Sequence, residues 1–241
     1  METLRIPRGK LVRPAVNPAR VNLPEAMAKL RGSRFTGYLR FDAPQGVGIV
    51  LLQSGRLISA LFFPSDDKPR QIAYDAIARI FEVSILGAAQ LCIYHLSADL
   101  VIGIHALLHG RYLLKGEDLQ RLDIPALLKK IAQDRLNACL RIYAGERTVL
   151  IFYDGGAALG FYHEGTTELQ QAADVSDSVA ALAGARLDLV EIQGAEEQVF
   201  ADLMGCADLG PIWQNARSLL LDERARREES LMRERPARLD R

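Results

Sequence analysis

The sequence predicts an α+β protein: two tandem α-β-β-β-α-β-α repeats with antiparallel sheets, followed by a C-terminal helix. Three observations predict it. Residues 23–43 align with 124–144 at an offset of 101, with Pro24/Pro125, Lys29/Lys130, Arg34/Arg135, Leu39/Leu140, Arg40/Arg141 and Ala43/Ala144 identical. Both segments open on a helix-start signal, a capping Asn22 or Asp123 followed by a first-turn proline, which supplies φ near the helical value and needs no N–H partner. Both then continue into two apolar runs separated by Ser54-Gly55 or by Asp154-Gly155-Gly156, the turn chemistry of a β-hairpin.

The elements follow in order. A short helix over 24–32 leads to strands at 37–42, 47–53 and 56–63. A helix over 69–82 carries Ile72, Ala73, Ala76, Ile77 and Ile80 on one face, and a strand at 90–95 and an apolar helix over 98–109 close the repeat. The second repeat reads as a helix over 124–133, strands at 138–143, 147–153 and 157–163, a helix over 167–183, a strand at 186–192 and a helix over 195–205. A one-residue gap in the next turn changes the offset to 100. Ile49–Leu52 then faces Val149–Phe152, Ala60-Leu61-Phe62 faces Gly160-Phe161-Tyr162, and Gly55 and Gly155 become equivalent structural turn glycines. Val47–Leu52 and Val149–Tyr153 are apolar on both faces, so both sides of those strands must be covered. The domain reading is a basic irregular arm over 1–22, a first repeat over 23–115, a second over 123–206, and a charged helix and tail over 211–241.

Composition limits function. The 241 residues are 49% hydrophobic and 25% charged with zero net charge, so a globular core is expected and no overall basic field points to nucleic acid. The charge is uneven: 1–22 carries +4, 23–213 carries −6 and 214–241 carries +2. Cys92, Cys139 and Cys206 are odd in number and lack a CxxC spacing, which suits a reducing compartment and a cytoplasmic location. The longest run without a charged residue, Val83–Ala98, is 16 residues, too short and polar for a membrane span.

No motif carries chemistry. His105 and His109 have a spacing that can place two imidazoles on one metal, but Ala106 stands where a zinc protease has Glu and no third ligand is near. Gly46-Val47-Gly48 lacks the later Gly and Lys of a phosphate loop. No catalytic, cofactor-binding or metal-binding residue is assigned, and no cofactor is expected. Phe62, Phe63, Tyr162 and His163, at the ends of the third strands, are candidates for a partner- or ligand-binding edge; core packing is their plainer role. Trp213, the only tryptophan, is positioned to staple the C-terminal helix to the body. That helix, over 214–235, carries the acid-first pairs Asp222–Arg226, Glu223–Arg227 and Glu229–Arg233.

Phe35-Thr36-Gly37-Tyr38-Leu39, the Ser54-Gly55-Arg56-Leu57-Ile58-Ser59-Ala60 turn and strand, and the Ala73 helix resemble the PATAN-type domain of bacterial PatA-like response regulators. In the second repeat Ala138 and Gly160 replace Gly37 and Ala60. The resemblance implies a non-enzymatic module that binds proteins in motility, pilus, small-GTPase or response-regulator pathways. The function expected is thus a cytoplasmic signalling adaptor acting through protein partners, with homodimerisation compatible. The alternative is a small-molecule sensor with a pocket between the repeats.

Overall fold

A computed structural model describes residues 6, 8–145, 147–163, 170, 178–192 and 200–234. They form a mixed α+β structure with two antiparallel sheets and a C-terminal helix. The first sheet contains β1 (Lys10–Val16), β2 (Gly37–Ala43), β3 (Gly46–Gln53), β4 (Arg56–Pro64), β5 (Gln71–Ile72) and β6 (Gln90–His95), in the order β1-β6-β2-β3-β4-β5. The second contains β7 (Arg111–Asp118), β8 (Ala138–Ala144), β9 (Arg147–Asp154), β10 (Ala157–His163) and β11 (Arg186–Glu191), in the order β10-β9-β8-β11-β7. The helices are α1 (Leu23–Gly32), α2 (Ala73–Ile85), α3 (Ala98–His109), α4 (Ile124–Gln133), the single turn α5 (Leu203–Cys206) and α6 (Gly210–Glu234).

The two sheets repeat one topology: β1, β6, β2, β3 and β4 correspond in order to β7, β11, β8, β9 and β10. The chain details repeat as well. Asn22 and Asp123 cap α1 and α4, accepting from Glu25 N at 3.5 Å and Ala126 N at 3.0 Å. Arg34 and Arg135 take the left-handed conformation, with φ of 52° and 48°.

The offset of 100 after the hairpin is corrected by this register. The hairpins close on Ala43–Gly46 and on Ala144–Arg147, with no gap. Ser54 and Gly55 have φ of 50° and 81°, while Gly155 and Gly156 have 53° and 83°. The equivalent of Gly55 is therefore Gly156, and Gly155 matches Ser54. The third strands agree: a β-bulge skips Ile58 in β4 and Leu159 in β10, one offset of 101 apart.

Residues 10–16 of the arm expected to be irregular form the edge strand β1, paired with β6. All seven of its residues are exposed, so burial leaves no alternating pattern to read, and Pro14 sits on an edge where a missing N–H is tolerated. Its counterpart β7 starts inside the expected first repeat and runs three residues past its expected end at 115, so the second repeat begins earlier than expected. Most of the helix expected over 167–183 and residues 195–199 of the helix expected over 195–205 lie outside the described residues. Their described parts correct the expectation: Gln170 bridges Phe161 as in a strand, Val179–Ala181 is a 3₁₀ turn, and residues 200–202 precede only the short α5.

The doubly apolar central strands are covered from within. The inner faces, with Tyr38, Ile49, Leu51 and Leu61 from one sheet and Cys139, Leu150, Phe152 and Tyr162 from the other, share one core with α3 residues Leu100, Val101, Ile104 and Leu107. Gly103 gives the closest approach: a Cβ there would enter the Phe152 ring. The outer face of the first sheet packs under α1, α2 and the start of α6 through Leu39, Phe41, Val50 and Leu52. Ile131 of α4 covers Leu140, Leu187 and Leu189 on the outer face of the second sheet.

Candidate functional site

The helix between the sheets, α3, has two buried apolar flanks and one less buried stripe. Ser97 caps α3, accepting from Leu100 N at 3.4 Å. Ile102, His105 and His109, three and four residues apart, face away from the buried positions. The two imidazoles stack with centroids 4.4 Å apart. His109 Nε2 lies 2.8 Å from Ser59 Oγ on β4, and the ring of Phe200 meets His105 edge-on at 4.5 Å. Burial, reinforced by His109, lowers the His105 pKa to about 4. Burial and then the Arg70 charge lower that of His109. Both rings are thus neutral at pH 7.

A hydroxyl against a neutral imidazole is the start of a nucleophile–base arrangement. Ser59, however, is only 4% exposed, and among the described residues no carboxylate orients His109. Nor do three or more His, Cys, Asp or Glu side chains converge on a metal position among those residues. The cluster instead seats the segment that returns from the second repeat to the first. Arg56 donates to Phe200 O at 2.5 Å, Leu57 N to Asp202 at 3.1 Å, Arg31 to Met204 O at 3.1 Å and Tyr74 to Leu203 O at 2.9 Å.

Next to this cluster, at the hairpin tips, a cleft of about 370 Å³ opens between the repeats. Ile102, Leu159, Ile192 and Phe200 form its apolar walls, and Gln53, Asn137, Tyr153 and Asp154 its polar ones. Gln53 and Asp154 are the last residues of β3 and β9, one offset of 101 apart, so both repeats contribute the same position. Matching Gly55 to Gly155 by identity hid this pair; an ungapped alignment aligns them.

A second surface lies across the molecule. Leu86, Leu219 and Leu220 line a groove of about 340 Å³ between α2 and α6, rimmed by Arg79, Glu82, Asp222 and Arg226. Leu219 is 51% exposed and its neighbour Leu221 62%. The start of α6 is anchored: Trp213 packs edge-on against Phe81 at 5.1 Å, with Leu209 and Ala216 buried beside it.

The four aromatic candidates do not form one edge. Phe62 is buried in the outer core, with the Arg79 guanidinium 5.7 Å above its ring. Phe63 packs on the inner core and Tyr162 is fully buried in it; His163 is half-buried. In the ungapped register Tyr162 corresponds to Leu61 and His163 to Phe62.

Fold and surfaces define a duplicated α+β protein built around a shared helix, with one junction cleft and one helix-flanked groove. Residues 4–108 match a family described as an uncharacterized protein conserved in archaea (DUF2226). The match runs from before β1 to the end of α3, less than half of the chain. It overturns the resemblance to the PATAN-type domain, because no response-regulator family matches; the pathways that resemblance implied fall with it. No curated protein and no solved structure matches the chain. No helix among the described residues is long and apolar enough to cross a membrane.

Proposed function

We propose that the chain is a non-enzymatic protein-interaction module whose partner docks on the α2–α6 groove. One observation carries the reading. Both faces of the central strands are covered internally, while Leu86 and Leu219, which line a groove with a charged rim, stay 40% and 51% exposed. An apolar centre with a polar rim is the composition of a protein interface. The three unpaired cysteines support a reducing, cytoplasmic setting. Affinity purification from the native host tests the reading, comparing the full chain with a Leu219→Asp variant. The reading expects a stoichiometric partner that the variant loses at unchanged melting temperature. Identical recovery with both forms contradicts it.

A second reading is favoured by a separate observation. The junction cleft is lined by both repeats, and its volume falls within the range of about 300–1,000 Å³ typical of small-ligand sites. In this reading the module also senses a small molecule.

A further inference from the structure

We propose that the junction cleft binds a small organic cation: an ammonium or guanidinium head on an apolar body. This rests on the second reading above. The cleft has a chemical bias that volume alone does not convey. Asp154 is its only formally charged lining group, and no Lys, Arg or His lines it among the described residues. The Asp154 carboxylate, the Gln53 amide and the Tyr153 hydroxyl have no hydrogen-bond or ion-pair partner among those residues. Asn137 uses its Oδ1 to accept from Gly155 N at 2.6 Å. Among these groups Asp154 only accepts hydrogen bonds, Gln53 both accepts and donates, and Asn137, its Oδ1 engaged, offers its Nδ2 as a donor, so the one charge that the described lining presents is negative.

Ligand classes separate on this basis. An anion would meet the Asp154 charge with no cation to offset it. A wholly apolar ligand would strip water from Asp154 and Gln53 without replacing the lost bonds. A cationic head satisfies the Asp154 carboxylate and the Gln53 amide oxygen. Ile102, Leu159 and Ile192 take the apolar body. Burial raises the Tyr153 pKa, so its phenol stays neutral at pH 7.

The test is calorimetric titration of the full chain with a matched trio, phenethylamine, 3-phenylpropionate and 2-phenylethanol, and with longer members of each series. Asp154→Asn serves as the variant, since Asn suits the same turn. The amines are expected to bind at least tenfold more tightly than the acids and alcohols, and Asp154→Asn to erase that preference. Acids or alcohols binding as well as amines, or an unchanged amine affinity in Asp154→Asn, overturn the cation assignment while the junction reading stands. No binding by any member of the three series contradicts both.

Discussion

At the residue scale, the duplication is written in turn geometry more firmly than in residue identity. Gly55 and Gly156 share a φ above 80°, and each faces backbone: a Cβ at Gly55 would strike the Arg31 carbonyl, and one at Gly156 would lie 2.8 Å from Ile131 O. Gly155 has φ of 53° with open space around it, at a position its counterpart Ser54 fills without glycine. Gly155→Ala is therefore expected to cost only about 1 kcal/mol, whereas Gly55→Ala and Gly156→Ala each cost more than about 2 kcal/mol by urea unfolding. The stacked histidines give a pH signature. The folded pKa of His105 lies near 4, against 6.5 for an unperturbed imidazole. From pH 6.5 down to about 4 the unfolded chain thus binds protons that the folded chain refuses. The pair's contribution is flat above pH 6.5 and declines as pH falls through that window. A His105→Gln/His109→Gln variant is expected to show a shallower acid loss of stability than the wild type; an equal or steeper loss contradicts the assignment. Asp188 makes a third point. It is fully buried, bonded to Arg141 at 2.6 Å and to Gly116 N at 2.6 Å. Arg141→Met strands that carboxylate and is expected to cost about 3–5 kcal/mol, with much of the loss recovered in Arg141→Met/Asp188→Leu.

At the element scale, the described side chains of α6 are buried at its start and exposed further along. Its 25 residues span about 37 Å, but the burial lies at Trp213 and Ala216. Truncation after Leu221 is expected to leave the melting temperature nearly unchanged, and Trp213→Ala to cost about 3–5 kcal/mol. A large drop on truncation would place the distal helix in the core. The elements also show what the sequence could convey. Helices with a cap and a buried stripe, and strands ending in Gly turns, were legible because local chemistry and burial agree: α3 and β6 lie at the residues expected. The edge strands β1 and β7 were not, since they bury no face and Lys10, Arg13 and Pro14, or Lys115 and Gly116, break any periodicity. The candidate cleft was hidden for another reason. Gln53 and Asp154 are ordinary strand-end polar residues, and only the tertiary approach of the two hairpin tips joins them.

At the scale of the whole molecule, one shared helix replaces what would otherwise be an interface between two domains. With α3 buried between the inner faces and Gly103 against Phe152, neither sheet can cover its inner face alone. The protein is therefore expected to unfold as a single cooperative unit despite its internal duplication. Two probes sit on opposite parts of it. Trp213 reports the outer layer of the first sheet, and Cys139, fully buried on the second, reports the inner face once Cys92 and Cys206 are replaced by Ser. The most direct measurement follows Trp213 fluorescence and Cys139 thiol labelling through one urea titration. A shared core predicts coincident midpoints for the two probes. Two separated transitions, with Cys139 exposed while Trp213 keeps its folded signal, would contradict it.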